Sequence, residues 1–568
     1  MNAHALRSAV IISLLLACRH TSPGGWPEKT LTQMSLRQKI GQLLMVSTVP
    51  NEDELESTFK DSHYPAPPNH KRIAKFIREH HVGGIFFVGK QSSPADLAGT
   101  IQHFQQLNGD RPPLMIALDA EWGTAMRLED VPPVPQAMTL GALHEEDDHL
   151  IVQAGQIAGH QCRTLGVHIN LAPVVDVNTN RANPIVGIRS FGQEPERVTR
   201  KAQLFAQGLR RAGVLACAKH FPGHGDTSTD SHLTLPHVLH DRDRLDAVEL
   251  APYRALIADG IDAIMTAHIA VPALETKHEH DRPASMSHPI VTKLLRDQLG
   301  FDGLIITDSL VMDGATIAGH PPGSAELNAF LAGNDILLGT ENIATTVALI
   351  EQAIDDCQVT EAEIDQRVLR ILRAKHKLLT QHTPSPPPPL APLQEQVFSR
   401  AVTLVKNNNN LLPLTRMPAV VTSGTRTSCP FRTELQHLVE QVAVKHANGD
   451  AAEPGPTPML LTIHGRPRSG AIELDKADQE MTGERIRQLI QQAKQKDFPV
   501  IAALFATPYT LRHMEDADAV IVGYEDTPAA HQAVSKLLVG QLNPHGVLPV
   551  DGSAAFVCGT SLQYEKTT

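Results

Sequence analysis

Short apolar runs alternate with predicted helices throughout residues 30–380. Continuous apolarity over so few positions is typical of parallel strands that are covered on both faces. The segments between the runs include predicted helices at 251–259 and 290–299. Pro252 is compatible with the first of these helices because it falls in the first turn. The predicted strands are 84–88, 114–118, 167–171, 214–217, 263–265, 304–306 and 336–338.

Repeated strand–helix units over a range of this length predict an α/β fold, and a (β/α)8 TIM-like barrel in preference to an open sheet. Several of the predicted strands are followed by a charged or imidazole side chain. Because the carboxyl ends of all strands in a parallel barrel meet on one face, we expect these side chains to line one polar pocket. The residues are Asp119, Asp176, Lys219, His220, His268 and Asp308.

A proline-rich segment, predicted as a linker over 381–394, divides the chain. Four consecutive prolines at 386–389 favour an extended spacer and oppose a continuous helix. Residues 395–568 again alternate apolar runs, such as 500–505 and 519–522, with helical segments. They predict a smaller α/β sandwich domain. Few acidic residues or histidines follow its predicted strands, so we expect catalysis to reside in the barrel domain, residues 30–380.

The first residues have the pattern of a bacterial export signal. Arg7 supplies a positive start, and the apolar run that follows is too short to span a bilayer, so 1–18 is a predicted signal peptide. Its end, Leu-Leu-Ala-Cys, resembles a lipobox in which Cys18 is lipidated after cleavage. A plain signal peptide that happens to contain a cysteine is the alternative. With 19–29 as a polar tether, we expect an exported, periplasmic lipoprotein anchored to a bacterial membrane.

Composition excludes several other classes. The 568 residues exceed one compact core, and a 42% hydrophobic and 20% charged composition is that of a globular protein. A net charge of −12 and only 4% aromatic residues argue against a nucleic-acid partner. Beyond the first twenty residues, no apolar stretch reaches the ~18 residues of a membrane span. The six cysteines form no CxxC pair, so a zinc ribbon or a redox motif is not indicated.

The densest polar segment, residues 219–232, admits three interpretations. Its histidines could bind a metal, but Pro222 and Gly223 oppose the helix that would align His220 with His224. It could equally be a polar loop shaped by glycine and proline. In the third interpretation, Asp230 and His232 share a face of an extended backbone. The carboxylate would then orient the imidazole and favour its protonated form, which is a proton donor near neutral pH.

This segment, KHFPGHGDTSTDSH, closely resembles the signature KHFPGHGDTxxDSH of the β-N-acetylglucosaminidases of glycoside hydrolase family 3. The resemblance extends over nearly the whole chain. One departure is Ala-Glu-Trp-Gly at 120–123, where QEGG is commoner, and Trp122 is expected to alter the pocket rim. Further similar segments are 116–128, 171–178, 188–192, 300–310, 401–407 and 543–550.

The resemblance implies a role for each site residue. Asp308 would be the nucleophile that forms a covalent glycosyl-enzyme, and His232, polarised by Asp230, would be the acid/base. His224 and Asp226 would shape the loop. Asp119, Arg127, Arg189, Lys219 and His220 would bind the hydroxyl and acetamido groups of N-acetylglucosamine (GlcNAc).

Some of these residues keep alternative roles. Arg127 could lie on a surface helix, and Arg189 could brace a loop through a buried ion pair. His268 could line the pocket or pack in the core.

The expected function is that of a retaining exo-β-N-acetylglucosaminidase, an enzyme of the β-N-acetylhexosaminidase type. Its expected substrates are peptidoglycan fragments or chitooligosaccharides with β-linked GlcNAc at the non-reducing end. The chemistry requires no metal or organic cofactor, and membrane contact is expected only through the lipid anchor. A family 3 β-glucosidase is one alternative, although the Asp230-Ser231-His232 motif argues against it. A non-catalytic cell-wall-binding lipoprotein is the other.

Overall fold

A computed structural model describes most of the chain. The described residues are 25–54, 66–89, 92–231, 234–276, 281–315, 321–381, 386–414, 416–423, 431–432, 435–439, 457–465 and 476–564. The predicted signal peptide with Cys18, the first part of the predicted tether and His232 lie outside these residues. Every described helix is too short or too polar to cross a bilayer.

Eight parallel strands form the first sheet, in the order β7-β6-β5-β4-β3-β2-β1-β8. The sheet curls into a barrel, since a bridge between Ile306 and Ile336 connects its two edge strands. The predicted TIM-like barrel is confirmed. The strands are β1 Leu44–Thr48, β2 Gly84–Phe87, β3 Met115–Leu118, β4 Ile169–Asn170, β5 Leu215–Phe221, β6 Ala263–Thr266, β7 Leu304–Thr307 and β8 Leu337–Leu338.

Helices surround this barrel, and several begin at a side-chain cap. Ser35, Ser93 and Thr360 each accept a hydrogen bond from the amide three residues later, which satisfies a free helical N–H group. A π-helix spans Pro289–Gln298. The α-helices are α1 Trp26–Gln33, α2 Leu36–Gln42, α3 His70–His80, α4 Pro94–Asn108, α5 Ala137–Gly141, α6 Asp148–Thr164, α7 Pro195–Arg211, α8 Arg242–Ala247, α9 Ala251–Ala258, α10 Ser324–Ala332, α11 Ile343–Asp355 and α12 Glu361–Thr380.

The second domain contains a five-stranded mixed sheet in the order β10-β11-β12-β13-β9, in which only β9 runs antiparallel to its neighbour. Its strands are β9 Thr403–Asn407, β10 Ala419–Ser423, β11 Met459–His464, β12 Val500–Phe505 and β13 Ala519–Val522. Its helices include α13 Leu390–Ala401, α14 Lys476–Lys494 and α15 Pro528–Leu538.

Two predicted connecting segments are partly helical. The predicted tether, 19–29, runs into α1, where Glu28 pairs with Arg373 and Trp26 stacks on His376, so α1 packs against α12. The predicted linker, 381–394, runs into α13, which begins at Leu390. Pro392 lies in the first turn of that helix, where its missing N–H group would have had no partner. In both segments, sequence composition concealed the start of a helix.

The two domains are packed against each other. One apolar cluster contains Ile151 and Phe205 of the barrel domain together with Leu461 and Val520 of the second sheet. Main-chain hydrogen bonds also cross the boundary, for example from the Val547 N–H group to the Ala142 carbonyl (2.9 Å). The two domains therefore share an interface with both apolar packing and main-chain hydrogen bonds.

Candidate active site

The carboxyl ends of the barrel strands carry a continuous network of charged side chains. Asp119, directly after β3, accepts a hydrogen bond from the Lys219 ammonium of β5 at 2.7 Å. Arg127 bonds the other carboxylate oxygen of Asp119 at 2.5 Å. Lys219 lies inside β5, which continues to Phe221, and not at the strand end as predicted. The structure thus brings three predicted binding residues into direct contact, and Arg127 does not lie on a surface helix.

These contacts fix the charge of Asp119. Burial opposes ionisation of this carboxyl group, but Lys219 and Arg127 outweigh that effect and hold its pKa well below the usual range. Lys219 is 2% exposed, and its pKa is raised because Asp119 and a second carboxylate outweigh the effect of burial. Asp119 and Lys219 are therefore both charged at neutral pH, and such groups form strong hydrogen bonds with hydroxyl groups.

The second carboxylate belongs to Glu121, which sequence reasoning did not place in the site. Glu121 accepts a paired hydrogen bond from Arg189 (2.9 and 2.7 Å) and forms an ion pair with Lys219 at 2.9 Å. Burial opposes its ionisation, but Arg189 and Lys219 lower its pKa to about 2. Its position two residues after Asp119 was the available signal, because side chains two apart on an extended backbone share a face. The sequence pattern had drawn attention to Trp122 instead.

Arg189 connects this network to His220. It forms the buried ion pair that was one of its predicted alternatives, and its Nη2 lies 3.4 Å from Nε2 of His220. A guanidinium group can donate hydrogen bonds but cannot accept them, so Nε2 of His220 must be the acceptor. The contact therefore favours the His220 tautomer that carries its proton on Nδ1. Arg189 therefore both braces its loop and orients a predicted binding residue.

Asp176, after β4, holds the other side of His220. One oxygen lies 2.7 Å from His220 Nδ1, and the second accepts the N–H groups of His220 and His224 at 3.2 and 2.7 Å. Asp176 is fully buried, which by itself would raise the pKa of its carboxyl group. The contacts with His220 and His224 outweigh this effect, so the pKa is lowered and the group is ionised. It was predicted as a polar strand end without an assigned role. It positions His220.

His224 anchors the loop that contains Asp230. Its Nδ1 lies 2.7 Å from Thr227 Oγ1 and its Nε2 lies 3.0 Å from Ser231 Oγ. Burial lowers the pKa of His224 to about 4, so the ring is neutral. Because His220 and His224 turn their nitrogens toward different partners, these two rings do not converge on one metal position. The contacts of His224 agree with its predicted role in shaping the loop.

Asp230 and Ser231 lead directly toward the predicted acid/base residue. Ser231 is buried and its carbonyl accepts the Gly314 N–H group at 3.1 Å, while the Asp230 carbonyl accepts that of Thr234. Asp230 is partly exposed. His232 itself lies outside the described residues, so its position relative to Asp230 stays a prediction.

Asp308 follows β7 on the same face of the barrel. Its N–H group donates to the Thr266 carbonyl at 2.8 Å, and Oδ1 accepts the Ser309 N–H group at 2.8 Å, so the carboxylate is held at the strand end. His268 contacts the residue after Asp308, because its Nε2 lies 3.0 Å from the Ser309 carbonyl oxygen. His268 is fully buried and Nδ1 bonds Ser285. Of its two predicted roles, the structure favours core packing.

The second domain also reaches this face of the barrel. The Tyr509 hydroxyl is hydrogen-bonded to the Asn178 amide, two residues after Asp176. Glu525 accepts the Gln136 N–H group at 2.9 Å and the Thr139 hydroxyl at 2.5 Å, at the start of α5. These residues support the site from outside the barrel, and their pairing was not visible in the sequence.

Known proteins resemble this chain in sequence. The Glycosyl hydrolase family 3 N terminal domain matches residues 35–374, more than half of the chain. "Beta-hexosaminidase A" of Pseudoalteromonas piscicida is 27% identical over 91% of this chain and 97% of its own length. "Beta-N-acetylglucosaminidase/beta-glucosidase" of Cellulomonas fimi is 29% identical over 69% of this chain and 68% of its own length.

A solved structure covers both domains. The glycoside hydrolase family 3 β-N-acetylglucosaminidase from Paenibacillus sp. str. FPU-7 has a TM-score of 0.70 and 29% sequence identity. The match covers 91% of this chain and 98% of that one. The predicted resemblance is confirmed across the barrel and the second domain. The chain therefore belongs to glycosyl hydrolase family 3 and is a glycoside hydrolase.

Proposed function

We propose that this protein is a retaining exo-β-N-acetylglucosaminidase that removes β-linked GlcNAc from non-reducing ends. The observation that carries the proposal is the network of Asp119, Lys219 and Arg127 on the same barrel face as Asp308. Charged donors and acceptors at fixed positions suit a neutral ligand with many hydroxyl groups. Arg127 Nε is buried and, among the described residues, has no hydrogen-bond partner, so it offers a donor to the sugar.

In the proposed mechanism, the Asp308 carboxylate attacks the anomeric carbon while the leaving oxygen takes a proton from His232. The bond to the leaving group breaks, and a covalent glycosyl-enzyme forms on Asp308. His232 then removes a proton from water, which attacks the same carbon and releases Asp308 and GlcNAc. Asp230 orients the imidazole of His232 and stabilises its protonated form.

The relatives support a β-hexosaminidase over a β-glucosidase. Their names include β-hexosaminidase and β-N-acetylglucosaminidase, and the Cellulomonas fimi protein carries both activities in its name. We therefore propose that GlcNAc is preferred. The natural substrates would be chitooligosaccharides or peptidoglycan fragments.

The test compares hydrolysis of p-nitrophenyl β-GlcNAc and p-nitrophenyl β-glucoside by the purified protein and by Asp308→Ala. Asp302→Asn is a matched control, since Asp302 is an exposed carboxylate that precedes the same strand. GlcNAc release by the control but not by Asp308→Ala supports the proposal. Hydrolysis of the glucoside alone would favour a β-glucosidase. Sugar binding without turnover would favour the cell-wall-binding alternative.

Azide separates the roles of the two catalytic residues. With His232→Ala, azide attacks the glycosyl-enzyme and we expect the β-glycosyl azide. With Asp308→Ala, azide replaces the missing nucleophile, displaces p-nitrophenolate directly and gives the α-glycosyl azide. The same anomer from both variants would contradict the assignment. Repeating wild-type turnover with phosphate present tests whether the glycosyl group is also transferred to phosphate.

We also propose that the protein is exported and anchored through lipid on Cys18, as the pattern of residues 1–18 indicates. Expression with radiolabelled palmitate, followed by membrane fractionation, tests this step. We expect label and membrane association in the wild type and neither in Cys18→Ser. Export of an unlabelled wild-type protein would favour the plain signal peptide.

A further inference from the structure

A buried cluster of three metal-ligating side chains lies in the second domain, outside the active site. His464 is the last residue of β11, Asp526 lies in the turn between β13 and α15, and His531 lies in the first turns of α15. His464 lies more than sixty residues before the other two, so the three positions form no contiguous motif. The fold brings them together at the carboxyl edge of the second sheet.

The donor atoms of this His464 cluster converge. His464 Nδ1 lies 3.0 Å and His531 Nε2 lies 2.8 Å from the same oxygen of Asp526. All three donor atoms lie within 4.8 Å of one another. In a tetrahedral zinc site, with ligands about 2.0–2.1 Å from the ion, donor atoms lie about 3.3 Å apart. The two distances to the Asp526 oxygen would lengthen by about 0.3–0.5 Å to reach that spacing, and the two nitrogens already lie within 4.8 Å of each other.

Its surroundings hold the two rings in place. The His464 ring stacks on Phe505, with centroids 5.0 Å apart, and His531 meets the edge of the same phenylalanine at 4.6 Å. The two imidazole planes are nearly perpendicular, at 86°. Both histidines are 6% exposed. Two nitrogens and a carboxylate oxygen that meet above an apolar surface form a typical site for a transition-metal ion.

We propose that His464, Asp526 and His531 bind a divalent transition-metal ion of the zinc class. One carboxylate and two neutral imidazoles would carry a net charge of −1, which a divalent cation reverses to +1. Each imidazole would lose the proton that now faces Asp526 and carry its proton on the other nitrogen, so the rings stay neutral. The ion would connect β11, the β13–α15 turn and α15.

The position of the cluster suggests a structural role. Glu525, the residue before Asp526, makes the hydrogen bonds to Gln136 and Thr139 of the barrel domain. An ion on Asp526 would therefore stabilise the turn that contacts the barrel. We expect bound metal to raise the thermal midpoint of the whole protein without entering the glycosidase reaction.

A second group of possible ligands supplies the control. Among the described residues, Glu146, Asp147 and His545 are also close enough to share an ion. Glu146 is exposed, however, and two of the three residues are adjacent in sequence. His545 Nε2 lies 3.1 Å from an oxygen of each carboxylate, at the domain boundary. His545→Gln thus removes a histidine from an acidic group without altering the His464 cluster.

The test uses the full chain, purified without a polyhistidine tag and stripped of metal with a chelator. We expect calorimetric titration with Zn²⁺ to show one bound equivalent, and Co²⁺ to give the intense visible bands of tetrahedral coordination. His464→Gln, His531→Gln and Asp526→Asn should each weaken binding at least about tenfold. His545→Gln should bind as the wild type does.

The wild type alone can refute the proposal. If it binds much less than one equivalent of Zn²⁺, or if Co²⁺ gives only the weak spectrum of the hydrated ion, the cluster is a hydrogen-bonded structural group. Equal binding by the wild type and all three cluster variants would place the metal elsewhere, as would loss of binding in His545→Gln. Circular dichroism of each variant separates a lost ligand from a lost fold.

Discussion

Glu121→Gln tests whether the buried carboxylate beside Asp119 positions the residues that we propose bind the sugar. Glutamine keeps the shape of Glu121 but removes the charge that pairs with Arg189 and Lys219. Because Lys219 is buried and the Arg189 side chain is only 14% exposed, each cation would have to rely on its remaining partners or turn toward water. Substrate binding would then have to restore their positions. We therefore expect a loss of activity larger than the loss of one surface ion pair.

The magnitude follows from the contacts that remain. Removing one partner of a buried ion pair costs about 3–5 kcal/mol. Lys219 keeps Asp119 as a partner, whereas the hydrogen bonds left to Arg189 among the described residues are those to the Ile185 carbonyl at 3.3 Å and to His220 at 3.4 Å. We take the lower end, about 3 kcal/mol, which corresponds to about a hundredfold in kcat/KM.

The assay measures kcat and KM on p-nitrophenyl β-GlcNAc and, for the same samples, the free energy of unfolding in urea. Glu361→Gln is the matched control, because it removes a glutamate that pairs with Lys39 at 2.8 Å, between α2 and α12. Glu361 is 54% exposed in its side chain, so this loss should be below about 1 kcal/mol. A kcat/KM for Glu121→Gln within about threefold of wild type would refute the reasoning, as would an equal loss in the control.

Three further predictions concern the supports of the site. Asp176→Asn should lower kcat/KM about a hundredfold with an unchanged circular dichroism spectrum, because His220 loses the carboxylate that holds Nδ1. Tyr509→Phe should lower the unfolding free energy by about 1 kcal/mol and kcat/KM severalfold, since the bond to Asn178 connects the domains. Burial raises the pKa of Glu525 to about 7. The folded protein therefore holds the proton of this group more tightly than the unfolded chain does. This contributes about 3 kcal/mol to the free energy of unfolding below about pH 4.5, and the contribution is lost as the pH rises to about 7. Glu525→Gln should therefore gain thermal stability relative to wild type between pH 5 and pH 8.

Each of these predictions has a result that contradicts it. Wild-type kinetics in Asp176→Asn would mean that His220 needs no carboxylate. Unchanged unfolding and kinetics in Tyr509→Phe would show that the interdomain hydroxyl contributes nothing. If the thermal midpoints of Glu525→Gln and wild type differ by the same amount at pH 5 and pH 8, the buried carboxyl group does not titrate in this range.

Much of the fold was predictable because the signals are local. Apolar runs marked every barrel strand from β2 to β8, and the polar residues after several of them predicted one common face. This works because the geometry of parallel strands sends every carboxyl end to the same side of a barrel. The first strand, β1, was missed although all its residues are buried, and α1 and α13 were hidden within segments that looked like connections.

The local sequence pattern could not show which charged side chains form ion pairs with each other. Whether Lys219 meets Asp119 alone or Glu121 as well depends on how β3 and β5 are placed around the closed barrel. Nothing in the spacing of residues 119–127 distinguishes an ion pair inside the site from a charge on the surface. The same holds for Asp176, whose role depends on the path of the chain from His220 to His224.

The sequence by itself determined the fold class, the family and the types of side chain available at the candidate site. It could do so because the periodicity of apolar residues and a long contiguous motif are local patterns, formed by residues that are neighbours in the chain. Only the tertiary structure decided that Glu121 holds two cations and that Tyr509 supports Asn178. It also brought His464, Asp526 and His531 to one point. These contacts join residues that are distant in the chain. Their free energy depends on distance and burial, which exist only once the strands have closed and the two domains have packed.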